Sequence, residues 1–282
     1  MNTRINFIVV LYSTEPENSK TLRSLSNVDF SKYGIEATYC IQDNSLGGFD
    51  LSSIQGMLGR VNYYHSGENK KLSTVYNELI KDNGRCDYYI ILDDDSVIDD
   101  SYLLSLRPFF ESNVKVAIPL IKHNGDLISP GRISGVRGYA LKESDVDVGI
   151  VKSSSLVAMM SGTVLSRSIV EELRFDERLS FYGVDTKFFL SYSKIYDVVF
   201  VLNTTLEHES ALRDNLSDFN SLKRRLTNLI LSKVYVFDDV KFHRIKISLY
   251  VLAFVSKRII TTRNLSYILL LNTIRSIMAK AK

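Results

Sequence analysis

The residues Tyr88-Tyr89-Ile90-Ile91-Leu92 run straight into Asp93-Asp94-Asp95-Ser96, and that junction constrains the chain more than any other feature. Five apolar residues are long enough for a buried strand. Packing alone does not put three carboxylates at the end of such a strand, because desolvating a carboxylate is costly unless positive charge meets it. In open α/β sheets, ligands bind beyond the carboxyl ends of the strands. Asp93 and Asp95 alternate along an extended segment and so share a side. Two hard oxygen donors on one side suit Mg²⁺ or Mn²⁺, ions that commonly bring a phosphate with them. Three consecutive aspartates also fit a solvated turn whose carboxylates cap the next helix, and the junction alone leaves the two readings balanced.

The segments around it predict a strand–helix alternation and hence a mostly parallel sheet flanked by helices. Strands are expected at Ile5–Leu11, Ile35–Ile41, Val61–His65, Tyr88–Leu92, Val114–Ile121 and Val198–Leu202. Leu156–Leu165 reads as a return to the sheet, interrupted at Ser161-Gly162. Helices are expected near Asn18–Leu25, over Leu72–Ile80 with Ser73 as N-cap, over Ser101–Ser112 with Pro108 ending or kinking it, over Ser168–Leu173, and over Val184–Ile195. Asn124–Asp147, with its Pro130-Gly131, reads as an irregular excursion over a site. From Phe219 onward only helices are expected, around 219–236, 241–258 and 264–279. Three strands end in Ser13, Asp43 and Asp93, and such ends gather at one edge of a parallel sheet.

At 282 residues, 45% hydrophobic and 24% charged, the chain is long enough for one large α/β domain or a domain with an appendage, and has the balance of a soluble globular protein. Cys40 and Cys86 are too few for a disulfide scaffold and fit a reducing compartment. Ile5–Leu11 is too short for a secretory signal's apolar region, and no run of about 18 apolar residues predicts a spanning helix. Charge is uneven. Residues 213–282 carry fourteen Lys and Arg against four Asp, a net of +10, which leaves −7 on the rest of a chain whose total is +3. A basic, apolar-rich tail on an acidic body points to an anionic partner for the tail. Because long aliphatic runs interleave its basic residues, nucleic acid is not that partner. The same apolar runs fit ordinary helices packed on the rest of the chain; the added expectation is a membrane surface, with basic residues meeting anionic head groups at about 1 kcal/mol each.

Taken in order, these features resemble the family 2 glycosyltransferases of the GT-A fold, most closely the bacterial branch that adds rhamnose or galactofuranose to surface polysaccharides. Val9-Val10-Leu11-Tyr12-Ser13 resembles the family's first strand and turn, and Gln42-Asp43-Asn44-Ser45 its second-strand Asp motif, whose carboxylate contacts the nucleobase. Asn69-Lys70-Lys71-Leu72-Ser73 with Tyr76-Asn77 resembles its Asn-Lys-Gly-Leu-Ser…Tyr-Asn segment, with Lys71 in place of the glycine. Leu92–Ser96 matches the metal-binding Asp-x-Asp element. Ser161-Gly162 matches a Ser-Gly on the acceptor side. Val184-Asp185-Thr186 matches the motif of the catalytic base, and Tyr182 stands where a further acid is often found. His208 resembles the histidine that completes the metal or diphosphate site. Lys223-Arg224-Arg225 with Asn228 resembles the basic start of the family's C-terminal helices. The matches run from Phe7 to about Asn228.

The resemblance implies a Rossmann-like GT-A catalytic domain over 1–212, with a nucleotide-binding half to about 98 and an acceptor half from about 99, followed by a basic helical region over 213–282. It implies Mg²⁺ or Mn²⁺ on Asp95, Asp93 and His208, with donor contacts from Ser13, Asp43, Asn69, Asp93 and Asp94, Asp94 turning away from the metal. Asp185 is implied as the general base, although an aspartate at a helix start also serves simply to complement the helix dipole. Arg132 and Arg137, in the loop excursion, are possible diphosphate contacts. The activity implied is inverting transfer of a sugar from a UDP- or dTDP-sugar to a polyprenyl-linked or oligosaccharide acceptor, in O-antigen or capsule synthesis, at the cytoplasmic face of the membrane. Two other classes stay open: a phosphohydrolase of the haloacid dehalogenase type, which Asp93-Asp94-Asp95-Ser96-Val97 also fits, and a non-catalytic nucleotide-sugar binder on the same fold.

Overall fold

The computed structural model describes residues 2–59, 61–208 and 219–279. The expected 212/213 boundary lies outside the described residues. The chain begins with β1 (Thr3–Leu11), α1 (Lys20–Ser26), β2 (Ile35–Asp43), α2 (Leu51–Leu58), β3 (Val61–His65), α3 (Leu72–Asp82), β4 (Tyr88–Leu92) and α4 (Asp100–Phe110). The strands β1, β2, β3 and β4 are parallel, with β1 between β2 and β4. Residues alternate between two packed faces. Ile5, Phe7, Val9 and Leu11 of β1 join the core beneath α1, α2 and α4, whereas Ile8 and Val10 join the core on the other side with Val75, Tyr76 and Leu79 of α3. A strand covered on both faces reads as an unbroken apolar run, which is why Ile5–Leu11 and Tyr88–Leu92 stand out in the sequence.

The second half adds β5 (Val116–His123), β6 (Asp126–Ser129), β7 (Gly131–Ser134), β8 (Arg137–Ala140), β9 (Gly149–Lys152), β10 (Leu156–Val157), β11 (Thr163–Ser166), α5 (Arg167–Glu172), α6 (Val184–Tyr192) and β12 (Val198–Glu207). The main sheet has nine strands in the order β3-β2-β1-β4-β11-β5-β12-β9, with β6 on β5. Six of the nine run one way; β11, β9 and β6 oppose them. Wedged antiparallel between β4 and β5, β11 brings Met160-Ser161-Gly162 to the carboxyl end of β4. Gly162 is indispensable there. Its φ is +71°, and a Cβ would lie 2.4 Å from Leu206 Cδ1 and 2.9 Å from Pro119 Cγ.

Four expectations are corrected. Asn124–Asp147 is not an irregular excursion: Asn124-Gly125 turns β5 into β6, and β7, β8 and β10 form a separate three-stranded sheet. Its strands are short and largely exposed, so they lack the period-2 apolar pattern that announces a strand. Leu156–Leu165 is therefore divided between two sheets. Ser73 is not an N-cap but lies inside α3, where its hydroxyl donates to the Leu179 carbonyl and ties α3 to the segment before α6. Pro108 does not end α4, which continues to Phe110. The ring removes the bond to the Leu104 carbonyl, and Leu104 lies on the exposed face of the helix. One helix, α2, has no counterpart in the sequence reading; Asp50 caps it by accepting the Ser52 amide at 3.0 Å.

The C-terminal elements are α7 (Phe219–Val236), α8 (His243–Thr262), a 3₁₀ turn over Leu265–Leu271 and α9 (Asn272–Ala279). Leu226, Ile230 and Val234 of α7 and Ile247, Val251 and Val255 of α8 recur every four residues and pack into the same core as Val184, Phe188 and Phe189 of α6. Asp238 bridges Lys187 at 2.5 Å and Arg178 at 2.7 Å. A Cβ on Gly183, at φ +85°, would lie 2.6 Å from Val236, so α7 fixes the start of α6 by close backbone approach. Among the described residues no helix is long and apolar enough to cross a membrane.

Candidate active site

Four elements deliver the site. β4 ends at Leu92 and presents Asp93 and Asp95; the bend before β11 presents Met160 and Ser161; α6 presents Asp185 in its first turn; β12 runs out into His208. One ligand atom each from Asp93, Asp95 and His208 lies within 4.8 Å of the others. His208 Nδ1 is 3.1 Å from Asp95 Oδ1 and 4.0 Å from Asp93 Oδ2. A carboxylate only accepts, so in this arrangement Nδ1 carries the proton. The backbone holds His208 in place: its amide donates to the Lys122 carbonyl at 2.9 Å and its carbonyl accepts from His123 Nδ1 at 3.0 Å.

A supporting layer fixes the carboxylates. Thr21 Oγ1 donates to the Asp93 carbonyl, at 2.5 Å, and lies 2.8 Å from the Ser96 carbonyl. Ser96 and Ser161 share a hydrogen bond of 2.5 Å, and the Ser161 hydroxyl also supports the Asp93 carboxylate. Ser161 is buried, with its hydroxyl between Ser96 and the Asp93 carboxylate. The Asp94 carboxylate accepts from Thr14 Oγ1 at 2.6 Å. Asp185 Oδ2 accepts the Met160 amide at 3.3 Å, which links the α6 residue to the β11 bend.

The charges are crowded. Burial pushes Asp93 up to about 6, with Asp95 and Asp94 adding to the shift and His208 and Ser161 working against it. Burial likewise pushes Asp185 up to about 7; Asp93 adds to this, and the Met160 amide and His208 oppose it. Burial pulls His208 down, but its hydrogen bond to Asp95 and the charges of Asp95, Asp93 and Asp185 outweigh that and leave it raised. Asp185 and Asp93 thus sense one another electrostatically across one site. Carboxylates held this close repel each other, and a divalent cation is the partner that relieves the repulsion. Two carboxylates and an imidazole form a donor set that fits Mn²⁺ and accepts Mg²⁺.

A second network gathers the other expected residues at the neighbouring strand ends. The Ser13 amide donates to Ser45 Oγ at 2.9 Å, the Ser45 amide to Asp43 Oδ1 at 2.8 Å, and Tyr63 Oη to Asp43 Oδ2 at 2.6 Å. Asp43 is buried, and each of its carboxylate oxygens accepts one of these hydrogen bonds, which makes it the hub of the network. Asn44 Nδ2 donates to the Lys70 carbonyl at 3.0 Å and lies 3.4 Å from Asn69 Oδ1, while its own Oδ1 is a buried acceptor without a partner among the described residues. Arg132 and Arg137 are on the small sheet, exposed and not ion-paired among the described residues; Arg137 lies over the Tyr139 ring beside α8. Sequence reasoning missed Thr14, Thr21, Tyr63 and the Met160 amide. Thr14 adjoins Ser13 and was within reach of the motif; a backbone amide carries no signal in sequence.

No family model matches the sequence, and no curated protein matches it. Solved structures do match by fold. The crystal structure of residues 1–349 of S. aureus TarS aligns over 82% of this chain and 66% of that one, at 17% identity and a TM-score of 0.53. The same TarS fragment in complex with UDP aligns at 15% identity and a TM-score of 0.52. GalNAc-T7 with UDP, GalNAc and Mn²⁺ aligns over 84% of this chain and 48% of that one, at 12% identity and a TM-score of 0.61. The fold is GT-A. The chain thus spans about two thirds of the TarS fragment and about half of GalNAc-T7.

Proposed function

We propose that the chain is an inverting, metal-dependent glycosyltransferase that uses a UDP- or dTDP-sugar. The observation that carries this reading is the meeting of Asp93, Asp95 and His208 within 4.8 Å, with Asp185 close enough to feel Asp93's charge. The GT-A fold, shared with proteins crystallised with UDP and in one case Mn²⁺, supports it. Asp95, Asp93 and His208 would hold the divalent ion, which as a Lewis acid offsets the negative charge of a departing nucleoside diphosphate by several kcal/mol. Asp185 takes the proton of the acceptor hydroxyl as that oxygen forms its bond to the anomeric carbon and the bond to the diphosphate oxygen breaks. An alcohol is a poor nucleophile at neutral pH, and Asp185's raised pKa makes it a stronger base than an ordinary carboxylate. The network of Ser13, Ser45, Asp43, Tyr63, Asn44 and Asn69 shapes the nucleotide pocket, Asp43 acting through its two neighbours. The transferred sugar is rhamnose, galactofuranose or another hexose, and the acceptor a polyprenyl-linked or oligosaccharide intermediate of bacterial surface polysaccharide.

The experiment is a screen of nucleotide sugars with Mn²⁺ or Mg²⁺, reading released nucleoside diphosphate. One UDP- or dTDP-sugar is expected to be consumed, with loss of turnover in EDTA and an inverted anomeric centre by NMR. Consumption of none, or a retained configuration, overturns the assignment or its mechanism.

The same reading places the protein on the cytoplasmic face of the membrane through its C-terminal helices. Ile245, Leu249, Leu252 and Ile260 form an exposed apolar stripe along α8, and Leu265, Ile268 and Leu269 extend the exposed apolar surface just beyond it. Lys246 and Arg263 are exposed alongside. An amphipathic helix with a basic polar face lies in the interfacial plane. Full-length protein is expected to sediment with anionic vesicles and to be released by Leu249→Asp with Leu252→Asp; equal sedimentation of that variant removes the stripe as the contact.

A further inference from the structure

A groove of about 470 Å³ lies between β8 and α8, built by elements that contribute nothing to the carboxylate cluster. Tyr250, Phe254, Lys257 and Thr261 recur at three- and four-residue intervals and so line one face of α8, with Arg258 beside them and Arg137 opposite. Tyr250 and Phe254 are half-buried and form the floor; Arg137, Lys257 and Arg258 are exposed at the rim. The Arg258 guanidinium lies 5.5 Å from the Phe254 ring centre. From the buried side, Lys233 Nζ sits 4.8 Å from the Tyr250 ring centre and donates to the Val136 carbonyl at 2.8 Å. Burial pulls Lys233 down to about 8. Burial also raises Tyr250, against the opposing charges of Arg137 and Arg258, so both guanidinium groups act on the same phenol.

Four cations therefore surround one aromatic floor. Among the described residues none of Arg137, Lys257 or Arg258 has a carboxylate partner, and no acidic side chain lines the groove. By contrast, Arg178 and Lys187 are both paired with Asp238. Like charges gathered without a counter-charge destabilise the fold unless an anion joins them. Two guanidinium forks and an ammonium suit a group with several oxygens and more than one negative charge, which a phosphate offers and a single carboxylate does not. The two rings supply a surface for the apolar or cyclic part of the same ligand.

We propose that the groove between β8 and α8 is a binding site for a phosphate or diphosphate group, held by Arg137, Lys257 and Arg258 over Tyr250 and Phe254. The site is independent of the metal cluster and of the activity assigned to it.

The test titrates the full chain with pyrophosphate by calorimetry without divalent cations, which keeps the carboxylate cluster from taking the anion. A parallel arm measures sedimentation with vesicles of neutral lipid alone and with added phosphatidic acid. Arg137→Gln with Arg258→Gln is expected to weaken anion binding at least about tenfold, the loss of two charge-assisted contacts, while Asp93→Asn with Asp95→Asn leaves it intact. Both positions in the first pair are exposed; Arg258→Gln alone serves if the pair lowers Tm. A soluble phosphorylated ligand is indicated if pyrophosphate binding depends on the pair and vesicle binding does not. A lipid head group is indicated if phosphatidic-acid vesicles depend on the pair and pyrophosphate competes with them. Wild-type affinity in the Arg variants, binding lost equally in the Asp variants, or no binding in either arm overturns the proposal.

Discussion

Asp185→Asn is expected to lower kcat by about 10²–10⁴-fold, the span a positioned general base supplies, with nucleotide affinity and fold retained. The amide keeps the shape of the side chain and can still meet the Met160 amide through its oxygen, so the loss isolates the proton acceptor. The pH profile gives a second readout. The base works only when ionised, and its metal-free value is about 7, raised by burial first and by Asp93 second. Wild-type activity should therefore fall as the pH drops, with a midpoint at or below about 7, since a bound cation offsets Asp93's charge and lowers the value. A kcat within threefold of wild type in Asp185→Asn ends the assignment of this residue as base. Stability moves in a matching way. Asp185, Asp93 and His208 all have folded values above their unfolded ones, so the metal-free native state binds more protons than the unfolded chain. Their contribution is greatest at low pH and is lost as the pH rises through the folded values. Metal-free protein should melt higher at pH 5.5 than at pH 8, and Asp185→Asn should recover on the order of 1–3 kcal/mol at pH 8. A Tm unchanged between those pH values contradicts the crowding.

Asp95→Ala is expected to abolish turnover, by at least about 10³-fold, because a Lewis acid supplies several kcal/mol and each 1.36 kcal/mol is a factor of ten. It removes both a carboxylate donor and the hydrogen-bond partner that orients His208. Mn²⁺ affinity, followed by paramagnetic broadening, should fall by two orders of magnitude or more, while circular dichroism stays native. In the wild type, Mn²⁺ affinity should rise with pH, because Asp93 and the raised His208 must give up protons before they ligate. Full activity of Asp95→Ala in Mn²⁺-supplemented buffer, or an affinity flat from pH 5.5 to 8, would leave the cluster without a metal role.

The strands and the carboxylates were legible because their signals are local. Val61–His65 and Tyr88–Leu92 have the expected bounds, and β1 and β2 extend the expected runs by two residues each. A strand buried on both faces is an apolar run, and its abrupt end on charged residues marks a functional edge. What failed had no such signal. β7 and β8 are too exposed to show alternation, and Ser73 has a capping residue's chemistry but spends its hydroxyl on a carbonyl 106 positions away. Asp43 shows the limit most clearly. Its motif is plain in sequence, yet only the tertiary structure brings the Tyr63 hydroxyl, 20 residues away, onto its carboxylate beside the Ser45 amide.

By itself the sequence determined that Asp93 and Asp95 share a side at a strand's end, that Asp185 opens a helix, and that the C-terminal segment is helical and basic. Each of these follows from residue spacing along a regular backbone. Only the tertiary structure decided that His208 lies 3.1 Å from Asp95 across 113 residues, that the Met160 amide reaches Asp185, and that Arg137 meets α8 in a groove of its own. Those distances depend on how the chain closes on itself, through β11 inserted between β4 and β5 and α8 laid beside β8, and no local pattern carries that information.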